Sequence, residues 1–364
     1  MNPAQISQAA RGDEPDDLVE LYFERGWTDG LPVVPPTREK IDAVVEALGG
    51  EPDLIECRVP PRWGDLSREI LAINVVMAGC RPDYGVVVRA AIRALCAPAF
   101  NLNGVQATTH MAAPLLVVNG PVRAAIDMNS GSNTFGSGNR ANATIGRAIR
   151  LLLLNVGGAQ PGVLDKSTLG HPGKYSYCIA ENEEASPFPP YHVEKGFDSQ
   201  DSTVFVLAAE PPHSVTNHVA DDPQGVLDSI VSAMSTYAHN NAVSAGHCAV
   251  VLGPEHAHTI AAGHWTRSDV ADYLWENARV RFGDIAFEHR YGQVYNRNLP
   301  KWYGRDLESM NPVVPSRDHI HLFVAGGEAG RFSAFIPGWG HMSDPVLQSL
   351  DGSKRPGESE STSL

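Results

Sequence analysis

The chain lacks any apolar run long enough to cross a bilayer. Its longest, such as Ala148 to Val156, is broken by Arg150 and falls well short of the roughly 20 residues a hydrocarbon core demands. No membrane partner is expected. The opening residues, Met-Asn-Pro-Ala-Gln-Ile-Ser-Gln, hold no basic segment followed by an apolar stretch, so no secretory signal is read and a cytoplasmic protein is expected. Cysteine is scarce. The five that occur (Cys57, Cys80, Cys96, Cys178, Cys248) are odd in number, widely spread and without a C-x-x-C, which fits reduced thiols better than a disulfide framework. Cations are few: 28 Lys and Arg stand against 42 Asp and Glu, a net charge of -14. This argues against nucleic acid, whose phosphates need clustered cations, and any anionic substrate must be held by local ones. Also missing are G-x-G-x-x-G after a strand, G-x-x-x-x-G-K-[ST], G-x-S-x-G and H-E-x-x-H. Nicotinamide, P-loop, α/β-hydrolase and zincin readings are accordingly poor.

What is present concentrates between Asn129 and Glu184. The run Asn129-Ser-Gly-Ser-Asn-Thr-Phe-Gly-Ser-Gly-Asn139 is a Gly/Asn/Ser loop, and from Arg140 it passes into a helix that reads as largely buried. Such a loop feeding a helix N-terminus offers unpaired N–H groups to an anion. Within it Asn133, Gly138 and Asn139 are candidate substrate contacts. Beyond Gly157-Gly158 come His171-Pro-Gly-Lys174-Tyr-Ser176-Tyr-Cys178 and Glu181-Asn-Glu183-Glu184, a cation, a thiol and three carboxylates in eleven residues. That density suggests a site.

Upstream, Asp16 to Arg25 reads as a short amphipathic helix, and Trp27-Thr-Asp-Gly-Leu-Pro-Val-Val-Pro-Pro36 as an extended loop pinned to the body, with Asp29 its one chemically suggestive residue. A helix from Thr37 to Leu48, a strand from Leu54 to Val59, and helices over Leu66 to Ala78 and Pro82 to Leu95 follow. Cys80 falls at the junction of the last two, where a helix N-terminus and Arg81 can lower a thiol pKa. Cys57, Cys96 and Cys248 sit in ordinary strand or helix pattern and read as core thiols.

Two motifs recur. Leu116-Val-Val-Asn-Gly-Pro121 is matched by Ala249-Val-Val-Leu-Gly-Pro254, each a strand ending in Gly-Pro with a helix after it. Gly170-His-Pro-Gly-Lys-Tyr-Ser176 is matched by Gly327-Glu-Ala-Gly-Arg-Phe-Ser333 in the same order, with an insertion assumed around Phe282 to Asn311. The expected fold is therefore α/β, with internally duplicated α/β units packed in pseudo-twofold symmetry. The expected divisions are an N-terminal tail and short helix (1–26), a first unit with the Gly/Asn loop and the Cys/Glu cluster (27–210), a second unit (211–350) and a disordered tail (351–364), the boundary lying between Glu210 and Gln224. Such packing would set Lys174 and Arg331 across one cleft, gripping a carboxylate-bearing substrate. Because the second copy has Phe335 where the first has Cys178, the reactive centre is expected on the first copy. The histidines read weakly: His256 and His258 are two apart, which on a helix does not give one face, and His319 and His321 read as satisfied strand residues.

Four stretches carry a resemblance: Trp27 to Pro36, Ala72 to Tyr84 with its Met-Ala-Gly-Cys, Gly131 to Ala148, and Gly173-Lys-Tyr-Ser-Tyr-Cys-Ile-Ala-Glu-Asn-Glu-Glu184. Over most of residues 27 to 260 the chain resembles an uncharacterised bacterial family often named alongside thiol or selenocysteine proteins of the UGSC type. The resemblance implies cysteine chemistry and supplies no reaction, and this chain lacks a Cys-Gly-Ser-Cys element.

The sequence thus points to an enzyme, a lyase or oxidoreductase, acting on a small acidic molecule. Cys178 or Cys80 would be its nucleophile or redox thiol, Glu181, Glu183 or Glu184 its acid/base, and Lys174, Arg331 and Ser176 its substrate contacts. One alternative is a metal- or iron–sulfur-dependent hydro-lyase with Cys80, Cys178, Glu183 and His256 as ligands; another is a non-catalytic subunit of a thiol-redox assembly. The cofactor is left open between none and a metal ion, and a homo-oligomer is expected.

Overall fold

The computed structural model describes residues 15–237, 239–286 and 300–352. The N-terminal residues before Pro15, the 353–364 part of the expected tail and much of the assumed insertion lie outside the described residues. Twelve strands are described: β1 (Ile55–Val59), β2 (Gly64–Ser67), β3 (Ala113–Asn119), β4 (Cys178–Ala180), β5 (Thr203–Ala209), β6 (His213–Thr216), β7 (Cys248–Leu252), β8 (Arg279–Arg281), β9 (Met310–Pro312), β10 (Ile320–Val324), β11 (Phe332–Pro337) and β12 (Val346–Ser349). Two pairs, β1 with β2 and β8 with β9, are small antiparallel ribbons. The rest make two four-stranded sheets, β12-β5-β3-β4 and β10-β7-β11-β6.

The strands β3, β5, β7 and β10 are apolar at nearly every position because both of their faces are covered, and successive side chains alternate between the faces. Leu116 and Val118 of β3 face the helices Arg68–Ala78, Gly85–Cys96 and Arg140–Asn155. Leu115 and Val117 face the other way, onto Ala249, Val251, Phe323 and Ile336 of the second sheet. On the far side, Val250, Leu252, Leu322 and Val324 pack under the helices Pro223–Met234, Pro254–Ala262 and Arg267–Asn277. The order of layers is helix, sheet, sheet, helix, a mixed α/β architecture.

Both sheets follow one pairing scheme. In the first, β3 runs parallel to β4 and antiparallel to β5, and β12 closes antiparallel on β5. In the second, β7 runs parallel to β10 and antiparallel to β11, and β6 closes antiparallel on β11. The closing strands come from distant parts of the chain. Having finished β5 in the first sheet, the chain crosses at once to lay β6 on the second, and after β11 it crosses back to lay β12 on the first. The chain makes the first of these crossings at residues 210–212.

The Gly-Pro ends of β3 and β7 hold corresponding places: Asn119 lies opposite Thr203 of β5, and Leu252 opposite Ser333 of β11. Gly120 and Gly253 come so close to the backbone of the antiparallel neighbour, at Asp201–Ser202 and at Phe332, that a Cβ would collide in both. The second repeated motif fares differently. Lys174 precedes β4, the parallel neighbour of β3, whereas Arg331 precedes β11, the antiparallel neighbour of β7. The two G-x-x-G-[KR]-[YF]-S turns are thus not equivalent, and their likeness is one of turn chemistry.

Candidate functional site

The Cys/Glu cluster that dominates the sequence is folded into the core. Cys178 starts β4 beneath the Arg140–Asn155 helix, which approaches so closely at Gly146 that a Cβ there would strike Ser176 Oγ and the Tyr177 backbone. Burial pushes the Cys178 thiol well above its ordinary pKa. Cys80 is buried as well, and its thiol is pushed up to about 12 by burial, against the opposing influence of the Thr144 hydroxyl and of Arg140 and Arg147. Burial thus disfavours the thiolate at both positions expected to hold a nucleophile, and the helix end at Cys80 does not offset loss of water. The thiols that meet are the two set aside from sequence, Cys57 and Cys96, with Sγ atoms 3.2 Å apart.

Native-state alkylation at pH 7 should therefore modify the half-buried Cys57 first, since the Cys57 contact and burial push the Cys96 thiol well above its ordinary range too, and Cys80, Cys178 and Cys248 only on unfolding. Peptide mapping that finds Cys178 fastest would return the nucleophile to it.

The carboxylates are equally committed. Glu181 is fully buried; it accepts from both terminal nitrogens of Arg267 at 3.1 Å, from Tyr191 N at 2.8 Å and from Asn119 Nδ2. Glu183 accepts from Gly120 N at 2.7 Å and pairs with Arg123 at 2.8 Å. Glu184 takes both terminal nitrogens of Arg123 at 3.1 Å, and this pairing holds its carboxyl below the usual range. These are clamps across the ends of β3 and β4, each carboxylate holding an arginine, with Glu184 the exposed one of the three. The alternative metal ligands do not assemble. His256 Nδ1 bonds Ser333 Oγ at 2.8 Å and Nε2 bonds Asn217 O at 3.1 Å, and among the described residues no group of three or more His, Cys, Asp or Glu is placed to hold a metal ion.

The Gly/Asn loop is built by its own side chains. Asn139 caps the helix by accepting from Asn142 N at 2.9 Å, and Asn133, at φ 63°, donates Nδ2 to Ser137 O at 2.7 Å. Gly138 sits at φ 118° with no atom near where a Cβ would be. Ser176 Oγ donates to Ala143 O at 2.9 Å. Arg331 donates to Ala220 O at 2.9 Å, and no described cavity is lined by both Arg331 and Lys174.

Lys174 does line a cavity, of about 540 Å³, together with Asp29, Arg150, Asp165 and His171. The helix Arg140–Asn155 organises it. Arg147 holds Asp29 through two bonds of 2.9 and 2.8 Å and also takes Pro32 O at 2.9 Å, which pins the proline-rich loop. Three residues on, and so on the same helix face, Arg150 reaches the cavity with its side chain only 11 % exposed. Among the described residues its one ion pair is a loose 3.6 Å approach to Asp165, whose two oxygens each accept from Lys174 Nζ at 2.8 Å. Burial lowers the pKa of Arg150 and of Lys174, with Asp165 opposing in both. His171 accepts from Gly173 N at Nδ1, 3.1 Å away, and burial keeps its ring neutral at pH 7.

In the lining two cations (Arg150, Lys174) meet two carboxylates (Asp29, Asp165), and Arg147, outside the lining, also holds Asp29, so that Arg150 is the least closely paired of the three cations. Arg150 was passed over in the sequence, where it marks only a break in an apolar run. An arginine inside the apolar run Ala148 to Leu154 of a buried helix is the available signal. Among the described residues no single helix is long and apolar enough to cross a membrane. No protein-family model matches the chain, and a search of curated proteins finds no match.

Proposed function

We propose that the protein recognises a small molecule through a single carboxylate, in the cavity between the Asp29 loop, the Arg140–Asn155 helix and the Lys174 turn. One observation carries the reading: in an acidic protein of net charge -14, Arg147 and Lys174 engage Asp29 and Asp165 closely, and Arg150 stands in the wall of a cavity of small-molecule size with only a 3.6 Å approach to a carboxylate. A guanidinium with donors to spare in a partly dry site favours a planar, bidentate acceptor. The substrate class expected from the sequence is retained, with Lys174 in its anchoring role and Arg150 in the place given to Arg331. The reactive thiol is not. We further read the shared pairing scheme of the two sheets and the two Gly-Pro strand ends as a duplicated unit with pseudo-twofold symmetry and exchanged closing strands.

Calorimetric titration of matched pairs of small carboxylic acids and their amides tests the recognition reading. The acids should bind and the amides should not, and Arg150→Met should weaken the acids by roughly 1.5 to 3 kcal/mol, the usual worth of a charge-assisted hydrogen bond. Equal binding of acid and amide, or unchanged affinity in the variant, would remove the carboxylate from the reading.

A further inference from the structure

A second cavity, of about 280 Å³, opens where the Gly/Asn loop of the first half meets the second sheet. One wall is Asn133 to Gly136; the other is largely backbone, from Gly253, Gly326, Gly327 and Gly330. The loops are joined by Gly326 N donating to Ser130 O at 2.8 Å. In the lining lies Ser333, 7 % exposed, and behind it is His256.

We propose that Ser333 and His256 are a nucleophile and its general base, and that this cavity takes a short acyl ester and hydrolyses it. The hydrogen bonds fix the tautomer. Asn217 O can only accept, so Nε2 carries the proton, Nδ1 is the acceptor, and the Ser333 hydroxyl donates to it over 2.8 Å. The Asn217 carbonyl thus stands where a carboxylate holds the histidine in a triad, orienting the ring. Gly253 N, at the start of the Pro254–Ala262 helix, lies 3.3 Å from the serine oxygen. Burial depresses the His256 pKa and keeps the base unprotonated at pH 7; of the charged neighbours, Arg331 and His218 push the same way and Glu255 opposes them.

The first sheet shows that the fold does not require this pair. At the corresponding corner Thr203 stands for Ser333, and Arg123, two residues past its proline as His256 is past Pro254, pairs with Glu183. Glu183 lies two residues beyond the residue facing Asn119 and seals the corner by taking Gly120 N; the same count from Leu252 reaches Gly326, which has no side chain to seal with. One corner is closed by an ion pair. The other is open and carries a serine against a histidine.

In the step proposed, Ser333 Oγ forms a bond to the ester's acyl carbon while its proton passes to His256 Nδ1. The C–O bond to the alcohol then breaks, and the alcohol leaves with that proton. Water attacks the acyl-serine, giving one proton to Nδ1; the acid departs and Ser333 recovers the proton. Nothing is oxidised or reduced.

The full chain treated with a fluorophosphonate probe should gain one adduct, on the peptide holding Ser333. Its rate should rise with pH through a depressed histidine pKa and then level, and p-nitrophenyl acetate hydrolysis should follow the same profile. Ser333→Ala should abolish both, and His256→Gln should slow labelling by about 100-fold or more, the usual contribution of a general base. An unlabelled wild-type protein, an adduct on another serine, or a His256→Gln variant that folds and labels at the wild-type rate would overturn the proposal. If that variant does not fold, the wild-type profile decides: a rate climbing in proportion to hydroxide with no plateau overturns it, and a plateau supports it. The Arg150 cavity is not involved, so either site can fail without the other.

Discussion

Acidification from pH 7 to about 4.5 should cost the protein several kcal/mol of folding stability, with the loss beginning near pH 6.5. The cause lies between the sheets and at their rim, where Asp344, His247, His321 and Tyr191 form a chain: 3.4 Å from carboxylate to ring, 3.0 Å between the rings and 2.8 Å from His321 Nδ1 to the phenol. His319 stacks on His247 at 4.3 Å. Burial and the neighbouring histidine lower His247 from 6.5 to about 4, while Asp344 opposes. His321 is lowered well below its ordinary value by burial, with His247, Lys195 and His319 adding to the effect. His171, His239, His256 and His319 are lowered too, each mainly by burial.

A depressed histidine pKa in the folded state means that the unfolded chain binds more protons below pH 6.5. Stability is then full above that pH and falls as pH drops toward the folded values. At about 1.4 kcal/mol per pH unit, His247 alone is worth roughly 3 kcal/mol by pH 4. Urea melts at pH 7.0, 6.0, 5.0 and 4.5 would show it, and His247→Asn should flatten the slope. A midpoint that holds constant from pH 7 to 5 would contradict it.

Arg267→Met should be the most damaging single change at constant pH, by about 3 to 5 kcal/mol, the cost of leaving a buried charge without its partner. Glu181 ends the first sheet and Arg267 begins a helix of the second half, so their fork is a buried tie between the two. Arg267 also donates to Pro189 O at 2.7 Å and to Leu322 O. Removing it strands the Glu181 carboxylate, while Glu181→Gln in the same chain should return part of the loss. Equilibrium urea unfolding of the three variants checks this, and a double variant no better than Arg267→Met would mean that the backbone bonds carry the tie.

What the sequence displays plainly is what neighbours in the chain decide. Helices at Pro15–Glu24, Arg38–Ala47 and Arg68–Ala78 fall where apolar spacing puts them, the last also capped, running from Ser67, which accepts from Ile70 N, to Gly79 in the left-handed region. The Gly-Pro ends of β3 and β7 are equally local. Exposure is not. Lys174, Cys178 and Glu181 stand close in sequence, but strand alternation and the Gly146 contact send the thiol and the carboxylate inward and leave only the lysine at a cavity. Ser333 and His256 are 77 residues apart, and only the register of β11 on β7 brings them together. His256 failed as a helix-face partner for His258 because its partner is a serine on a strand.

The positions of β6 and β12 in the chain bear on how the protein is made. The outer edge of β5 receives its partner from residues 346–349, close to the end of the described chain. During synthesis β3, β4 and β5 therefore leave the ribosome with that edge open, and they wait for nearly the whole second half before the sheet closes. The second sheet has no such delay, since β6 is already waiting when β7, β10 and β11 emerge. The half that is made first is finished last, and for that interval its exposed ladder is the part of the nascent protein most in need of shelter from other chains.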